Sequence, residues 1–401
     1  MEPLSTTAST TLEKNLLQTA REVGPEINRH IEEEENNRRL SSAVFNELKQ
    51  AGFHRMYLPK SLGGFESDPI TMTQVIEEVA RHNTAAAWSL MVANTSTWWG
   101  GRLPEKGVEE LYTYGPDTFI AGVFHPPMKA TPVDGGYLVN GRNALFSNVH
   151  EAHWIFVTAF VMEQQQIKIK NGQPEILGVY MTPQDCDILD TWYTLGMRAT
   201  DSNDVAAKDV FVPGHLVFPV VPEYQPGRHF KGLLYQFPAI GACVDSLLAP
   251  VALGNARNAI EALKLLSENK TPMGSGITMR ERGVVQRKLG KAEALVQSGR
   301  AFLYQKLTDT WYKILAGEKI SLDEKAGLLL AATHTNQSCV KAVDLMYSAA
   351  GSTAIYTRNK LEHYFADAQV IRQHGFMNDS RYETVAQVYL GLQPDLPVIA
   401  F

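Results

Sequence analysis

The sequence predicts an α+β protein with three parts: an N-terminal helical domain over residues 1–116, a central β-domain over 117–230 and a C-terminal helical bundle over 231–401. Helical patterning fills the chain before Pro116. Short β-branched runs with hairpin-type turns follow, and long amphipathic stretches fill the last third. A chain of 401 residues is too long for one simple core, so two or three domains are expected.

The N-terminal part contains four helical stretches. Leu12–Glu35 is charged with a thin apolar stripe, and Ser41–Ala51 is amphipathic and stops at Gly52. Pro69–Arg81 and Thr84–Trp99 follow. Thr84–Trp99 is apolar on most faces, so we expect it to be buried.

The central part contains short β-branched or aromatic runs separated by turn signals. The turns are Asp134-Gly135-Gly136, Asn140-Gly141 and Asn171-Gly172, which are typical of hairpins. The predicted strands are Thr118–Val123, Ala130–Val133, Tyr137–Asn140, Trp154–Phe160, Ile176–Met181 and Val205–Val212.

The C-terminal part shows two apolar seams in which steps of four and three alternate, as in a bundle of long helices. A polar Asn336 within the second seam suggests a partnered bundle, which could form between subunits. The seams are Val285, Leu289, Ala292, Val296, Gly299 and Leu303, and then Leu329, Ala332, Asn336, Cys339, Val343 and Met346.

Composition and charge disfavour several classes of protein. A net charge of -6 and a pI near 6.0 argue against nucleic-acid binding, which normally needs a basic field. Cys186, Cys243 and Cys339 are widely spaced, which argues against a disulfide framework or a zinc site and fits a reducing cytoplasm. No apolar run approaches the roughly 18 residues of a membrane span, and residues 1–11 lack the apolar core of a signal peptide. We therefore expect a cytoplasmic protein with no membrane or nucleic-acid partner.

Four segments carry a resemblance to a known family. They are Asp134–Tyr137 with Val139–Gly141, Phe146–Val149, Leu195–Ser202 running into Asp209–Pro213, and the stretch from Ala350 to Asp367. In this order and spacing they resemble the acyl-CoA dehydrogenase family over nearly the whole chain. The resemblance implies an N-terminal helical domain, a central β-barrel-like domain and a C-terminal four-helix bundle, assembled as a homotetramer.

The departures from that family fall on the parts that handle a CoA thioester. Phe124–Met128 stands where the dehydrogenases have Thr-Glu-Pro followed by Gly-Ser-Asp, and Lys270–Gly283 lacks their Arg…Phe-Gly segment. The catalytic glutamate expected after Asp367 is absent, and His374 stands at about its position. With Ser147 in the Ile-Thr-Asn-Ala-like segment, the chain is similar to the two-component flavin-dependent monooxygenases of the same superfamily.

This resemblance implies an oxygenase component that takes FMNH2 or FADH2 from a separate NAD(P)H:flavin reductase. Reaction with molecular oxygen would give a C4a-hydroperoxide that oxygenates a small organic substrate at C, N or S. Ser147 is expected to hydrogen-bond the flavin N5, and His374 to act near the peroxide or the substrate, so both are catalytic candidates. Trp88 joins His374 as a candidate substrate contact. The candidate flavin-binding residues are Phe124, Ser147, Asn148, Arg282, Gln286 and Gly351.

The main candidates also have structural interpretations. Ser147 can be a turn hydroxyl at a strand end, and His374 can be a histidine at a helix C-terminus, where the dipole favours it. Trp88 fits core packing, and Arg282 fits a solvated helix charge. No metal site is predicted, because His150 and His153 are three apart with no third ligand nearby.

Two other functions remain open on the sequence alone. One is a flavin dehydrogenase for acyl thioesters whose base is displaced to Glu362, Asp379 or Glu383. Such an enzyme would hold FAD tightly. The other is a non-enzymatic helical scaffold that kept the fold, and it would bind neither flavin.

Overall fold

The computed structural model describes residues 11–223 and 225–401, and helices come first, as the sequence predicts. Residues 1–10, part of the segment for which no signal peptide is expected, lie outside the described residues. The N-terminal helices are α1 (Thr11–Arg29), α2 (Ile31–Asn37), α3 (Ser42–Gln50), α4 (Pro69–Ala80), α5 (Thr84–Gly100) and α6 (Glu105–Leu111).

Side-chain capping marks where three of these helices begin. Ser41, Asp68 and Asn83 precede α3, α4 and α5, and each side chain accepts a hydrogen bond from a backbone N–H of the first turn. Pro69 follows Asp68 at the first helical position, where its missing N–H costs nothing.

Helix α5 is buried on nearly every side, as its composition predicts. Of its 17 residues, only Trp88 and Thr95 keep partial solvent access. These two are seven positions apart, about two helical turns, so they share one face of α5. That face opens onto the cavity that forms the candidate site.

The central part is an eight-stranded sheet ordered β10-β7-β3-β1-β2-β9-β8, with β4 paired to β3, and β10 and β8 end the path. A two-stranded ribbon of β5 and β6 is separate. β1 and β3 pair in parallel, with a register shift between Val123 and Met128. The strands are β1 (Ile120–Val133), β2 (Gly136–Phe146), β3 (Trp154–Glu163), β4 (Gln166–Ile167), β5 (Ile169–Lys170), β6 (Gln173–Pro174), β7 (Ile176–Met181), β8 (Asp187–Leu189), β9 (Asn203–Pro213) and β10 (Val217–Pro219).

The chain is helical again after the sheet. A π-helix over Ile240–Leu248 continues directly into α7. Helices α7 to α10 pack as the predicted bundle, in which α8 and α9 form the longest pair. The helices are α7 (Ala249–Asn269), α8 (Gly283–Leu315), α9 (Leu322–Ala350), α10 (Leu361–Ile371) and α11 (Arg381–Tyr389).

Helices α8 and α9 pack along each other, and Gly299 of the first predicted seam contacts Thr335 and Ser338 of α9. A Cβ added to Gly299 would lie 3.1 Å from Thr335 Cα, so glycine allows the two helices to approach closely here. Asn336 is fully buried, and its side-chain amide donates to the Met377 carbonyl at 3.0 Å. This bond within the chain satisfies the amide nitrogen, while Oδ1 has no partner among the described residues, and the contact between subunits that Asn336 suggests stays a prediction.

Among the described helices, none combines the length and the apolar character that crossing a bilayer requires.

Candidate functional site

A cavity of about 570 Å³ lies where α5, the sheet and the C-terminal segments meet. Ligand sites in proteins typically enclose roughly 300–1,000 Å³, so the space suits a small molecule or part of a cofactor. Four residues singled out from the sequence line this cavity together: Trp88, Phe124, Ser147 and His374.

Ser147 follows the last residue of β2 and belongs to a chain of hydroxyl groups. The Trp88 indole N–H donates to Ser147 Oγ at 3.0 Å, and Ser147 Oγ lies 2.7 Å from Ser202 Oγ. Ser202 Oγ in turn lies 2.7 Å from Thr200 Oγ1. Ser147 is almost fully buried, so it is not a solvated turn hydroxyl. Its hydroxyl is oriented at the cavity wall by two neutral partners.

His374 lies just beyond the end of α10, and its ring meets the Trp88 ring edge-on at a centroid distance of 5.6 Å. The backbone N–H of Phe376 donates to His374 Nδ1 at 3.3 Å, so a neutral ring carries its proton on Nε2. Burial lowers the pKa of His374 to about 4. The side chain is therefore a neutral hydrogen-bond donor at physiological pH and not a protonated imidazolium.

Asn148 occupies the left-handed region, with φ of 53°, directly after Ser147. Its backbone N–H donates to the Thr200 carbonyl at 2.7 Å. The side-chain amide is buried, and neither its oxygen nor its nitrogen has a hydrogen-bond partner among the described residues. Such a group is costly unless something else satisfies it, which makes Asn148 a candidate contact for a bound polar molecule.

Aromatic rings form a further part of the cavity wall. Phe124 stacks on Trp99 at a centroid distance of 4.4 Å, and Phe376 lies 6.4 Å from Phe124. Phe124 stands at the register shift of β1, where the chain leaves regular pairing. The bulge turns this ring toward the cavity, as bulges often do beside functional sites.

Four of the six predicted flavin-binding residues do not line the cavity: Asn148, which directly follows Ser147, and Arg282, Gln286 and Gly351. Arg282, Gln286 and Gly351 are exposed. Gln286 donates to the Arg280 carbonyl at 2.9 Å, a contact local to the start of α8. The helix and loop that carry these residues belong to the bundle surface, so their proposed role in holding flavin finds no support within one chain.

The two histidines assigned to a loop have local partners. His150 Nδ1 lies 2.9 Å from the Asp201 carboxylate, and His153 Nδ1 accepts from Phe119 N at 3.0 Å. Both contacts fix the connections between strands, in keeping with the structural interpretation.

Residues 195–202 position two members of the hydroxyl chain. Asp367 on α10 accepts a hydrogen bond from Met197 N at 2.6 Å. A Cβ added to Gly196 would lie 2.5 Å from Asp367 N, so the segment presses directly on α10. Met197 is itself in the left-handed region, with φ of 53°. Asp367 therefore anchors the loop that carries Thr200 and Ser202.

Glu35, His363 and Asp367 bring three possible metal-ligand atoms within 4.8 Å of one another. Burial, together with the Asp367 charge, raises the pKa of Glu35 to about 7, and burial raises that of Asp367. Protonation can therefore balance two neighbouring carboxyl groups without an ion. His363 Nε2 lies 3.4 Å from the Asp367 carboxylate and supplies a further partner.

Sequence reasoning missed several cavity residues. Thr200 and Ser202 belong to a segment that contributed only to the family resemblance, and their hydroxyls lie 2.7 Å apart on either side of Asp201, which has a left-handed backbone with φ of 50°. Cys243 comes from the π-helix, and Arg381 and Asp395 come from α11 and the tail after it. No local pattern marks these positions, because the fold alone brings them to the cavity.

The candidate bases of a displaced dehydrogenase do not reach this space. Glu362, Asp379 and Glu383 are not among the residues that line it. Of the described lining residues, Asp395 alone has a carboxylate, which accepts a hydrogen bond from Thr384 Oγ1 at 2.5 Å and lies 3.5 Å from Arg381 Nη2.

Comparison with known proteins agrees with the architecture. Residues 10–103 match the family model of the acyl-CoA dehydrogenase N-terminal domain, and residues 246–379 match that of the C-terminal domain. Indole-3-acetate monooxygenase of Acinetobacter baumannii is 28% identical over 360 residues, which are 90% of each chain. The flavin-dependent monooxygenase oxygenase subunit HsaA of Mycobacterium tuberculosis is 25% identical over 377 residues, 92% of this chain and 94% of that protein.

Solved structures share the fold over nearly the full length. XiaF from Streptomyces sp., in complex with FADH2 and glycerol, superposes with a TM-score of 0.88 over 96% of this chain and 97% of that one, at 23% identity. The two matched domains together span more than half of the sequence, and the resemblance drawn from four short segments is confirmed. The chain belongs to the acyl-CoA dehydrogenase-fold superfamily, in its branch of flavin-dependent monooxygenase oxygenase components.

Proposed function

We propose that this protein is the oxygenase component of a two-component flavin-dependent monooxygenase. It takes reduced FMN or FAD from a separate NAD(P)H:flavin reductase and uses molecular oxygen to oxygenate a small, planar aromatic substrate at C, N or S. The observation that carries this proposal is the joint placement of the Ser147 hydroxyl and the neutral His374 ring in one mostly apolar cavity, with Trp88 touching both.

The cavity residues fit a flavin ring. Asn148, next to Ser147 in the chain but not itself a lining residue, has a buried amide oxygen and nitrogen without partners among the described residues, and these could pair with a ring edge that alternates donors and acceptors. Ser147 offers a hydroxyl, and Phe124 and Trp88 offer flat apolar surface. These residues would hold the ring, and reduced flavin would supply the electrons that activate oxygen.

The hydroxyl chain lets Ser147 adapt to its ligand. Thr200 Oγ1 can donate to the Met197 carbonyl at 2.9 Å, which makes Ser202 donate to Thr200 and Ser147 donate to Ser202. In the reverse arrangement, Thr200 donates to Ser202 and Ser202 donates to Ser147. The Ser147 proton is then free to point into the cavity. Ser147 can therefore act as donor or acceptor without any movement of the backbone.

His374 contributes a directed hydrogen bond. Its Nδ1 is engaged by the Phe376 N–H, so Nε2–H is the donor left for a substrate or an oxygen atom. A ring with a pKa of about 4 does not store a proton at pH 7, so its role is to orient and polarise. This refines the expectation from sequence that His374 donates or relays a proton.

The aromatic wall excludes water from the cavity. Trp99, Phe124 and Phe376 cover one side with apolar surface. A dry cavity strengthens each hydrogen bond inside it and limits the loss of reduced oxygen species to solvent. The planar rings also support the choice of a planar substrate, as does the substrate named for the Acinetobacter relative.

The assembly and the location are parts of the same proposal. Arg282, Gln286 and Gly351 are exposed on their own chain, so any contact of theirs with flavin requires a neighbouring copy. The homotetramer that the family resemblance implies would supply such a copy, and a mass of four chains in light scattering is the expected result. Cys186, Cys243 and Cys339 are all unpaired, in keeping with a reducing cytoplasm.

The test is an anaerobic titration with reduced and oxidised FMN and FAD, followed by mixing with oxygenated buffer. We expect reduced flavin to bind at least about tenfold tighter, a difference of about 1.4 kcal/mol. Stoichiometric FAD after purification would contradict the proposal. So would reduction of bound flavin by a short-, medium- or branched-chain acyl-CoA, since both results point to the dehydrogenase. Binding of neither flavin would point to the non-enzymatic scaffold.

A further inference from the structure

We propose that the cavity selects an aromatic acid, with the guanidinium of Arg381 receiving the carboxylate of the substrate. The inference rests on the proposed function, because it names the substrate class for the same cavity. Two side chains with permanent charge line the cavity among the described residues, Arg381 and Asp395. Their unequal burial and their other partners decide which charge the cavity presents.

Arg381 is the more buried of the two. It is the first residue of α11, and its side chain is 12% exposed, against 43% for Asp395. Its Nη2 donates to Ser380 Oγ at 2.9 Å and lies 3.5 Å from the nearest Asp395 oxygen, which is a long contact. Its Nε–H is buried and has no partner among the described residues.

Asp395 is largely occupied by other partners. One carboxylate oxygen accepts from Thr384 Oγ1 at 2.5 Å, and the backbone N–H of Asp395 donates to Gln387 Oε1 at 2.8 Å. These contacts fasten the C-terminal tail to α11. Because Asp395 is more exposed, solvent screens its charge more strongly than it screens that of Arg381. Of the two charges, that of the guanidinium is therefore the less screened by solvent.

A carboxylate is the group that best completes this arrangement. A buried guanidinium N–H without an acceptor is unfavourable, and the planar donor fork of arginine matches a carboxylate in shape and charge. The neighbouring wall explains the rest of the ligand. Phe376 lies on the short segment between His374 and Arg381, and it stands with Phe124 and Trp99 to offer flat apolar surface. A ligand whose planar ring packs against this wall and whose carboxylate contacts Arg381 uses both features.

The experiment compares acids with their neutral amides of nearly equal shape. The probes are indole-3-acetate against indole-3-acetamide, and phenylacetate against phenylacetamide. Binding is followed by isothermal titration calorimetry, because the indole probes fluoresce in the same range as tryptophan, and no flavin is added. We expect at least one acid to bind about tenfold tighter than its amide. Arg381→Gln should bring that ratio close to one, and Arg381→Lys should restore part of it. The exposed Arg358 provides the matched control, and Arg358→Gln should keep the parent ratio.

A second variant guards against a folding failure of Arg381→Gln. Asp395→Asn removes the competing negative charge and should raise the ratio of acid to amide affinity. Three results would each overturn the inference. They are an acid-to-amide affinity ratio near one in the parent, an unchanged ratio in Arg381→Gln, and a lower ratio in Asp395→Asn. These binding ratios need neither reduced flavin nor oxygen. A failure of flavin-dependent turnover with every probe is therefore separable from a failure of acid selection.

Discussion

Replacing Asp245 with asparagine should stabilise the folded protein more and more as the pH rises. Asp245 lies in the π-helix with no exposed surface, and neither carboxylate oxygen has a hydrogen-bond partner among the described residues. Burial raises the pKa of this carboxyl well above its usual range. The folded protein therefore keeps a proton that the unfolded chain loses above a pKa of about 3.9.

The sign and the size follow from proton linkage. Because the folded state binds the extra proton, its stability is complete below the unfolded pKa and falls as the pH rises toward the raised folded pKa. One proton corresponds to about 1.4 kcal/mol per pH unit while the folded state retains it. Asparagine carries no such proton, so this part of the slope should vanish in the variant.

The assay is urea unfolding at pH 5, 6, 7 and 8 at one fixed protein concentration. Asp309→Asn changes an exposed carboxylate and serves as the matched control. The gain in stability of Asp245→Asn over the parent should grow with each pH unit, whereas the control should follow the parent. If the Asp245→Asn curve stayed parallel to that of the parent, the carboxyl would be satisfied in the folded state and the reasoning would be wrong.

Three further predictions concern the cavity. Ser147→Ala should keep the fold, but more of the oxygen consumed should be released as free hydrogen peroxide. The peroxide measured per turnover should therefore rise while product formation falls. An unchanged ratio of product to peroxide would mean that the role of Ser147 is structural. His374→Ala should slow product formation by roughly 10²-fold, with His374→Gln in between. The parent kcat/KM should show no titration of this ring between pH 5 and 8, because its pKa is about 4. Asp367→Ala removes the acceptor of Met197 N–H, at a cost of about 1–3 kcal/mol in urea unfolding. Asp367→Ala should also weaken the binding of reduced flavin, and Asp367→Asn should recover most of the stability and most of the affinity. Equal losses of stability and affinity in the two variants would contradict the anchoring role of Asp367.

Much of the site could be predicted because its main residues stand in recognisable segments. Ser147 ends the second half of a hairpin marked by Asp134-Gly135-Gly136, and His374 follows a helix with a clear start and stop. Once the order of segments indicated the family, the fold brought these residues together with Trp88 and Phe124. Their shared cavity was an inference from resemblance, since no spacing in the sequence relates residue 88 to residue 374.

The features that escaped prediction depend on contacts distant in sequence. The Asn336 side-chain nitrogen donates to the Met377 carbonyl, 41 positions away, a contact that the sequence did not indicate. The π-helix has the same apolar composition as an α-helix, so its altered hydrogen bonding leaves no periodic signal. In the sequence, Arg381 has the pattern of an ordinary residue at the start of a short helix. Only burial and the unpartnered Nε–H distinguish it from a solvated arginine.

The polar groups nearest Ser147 share one property that limits how flavin selectivity can arise. Trp88 and Ser202 are neutral, and His374 is neutral at physiological pH. The hydroxyl chain can also reverse its direction, so Ser147 can meet a ring nitrogen that carries hydrogen as well as one that does not. A preference for reduced flavin therefore cannot rest on Ser147 alone. It has to come from groups with a fixed direction, such as the Trp88 indole N–H, which can only donate, and the Asn148 amide next to Ser147, whose oxygen and nitrogen cannot exchange roles without rotating the side chain.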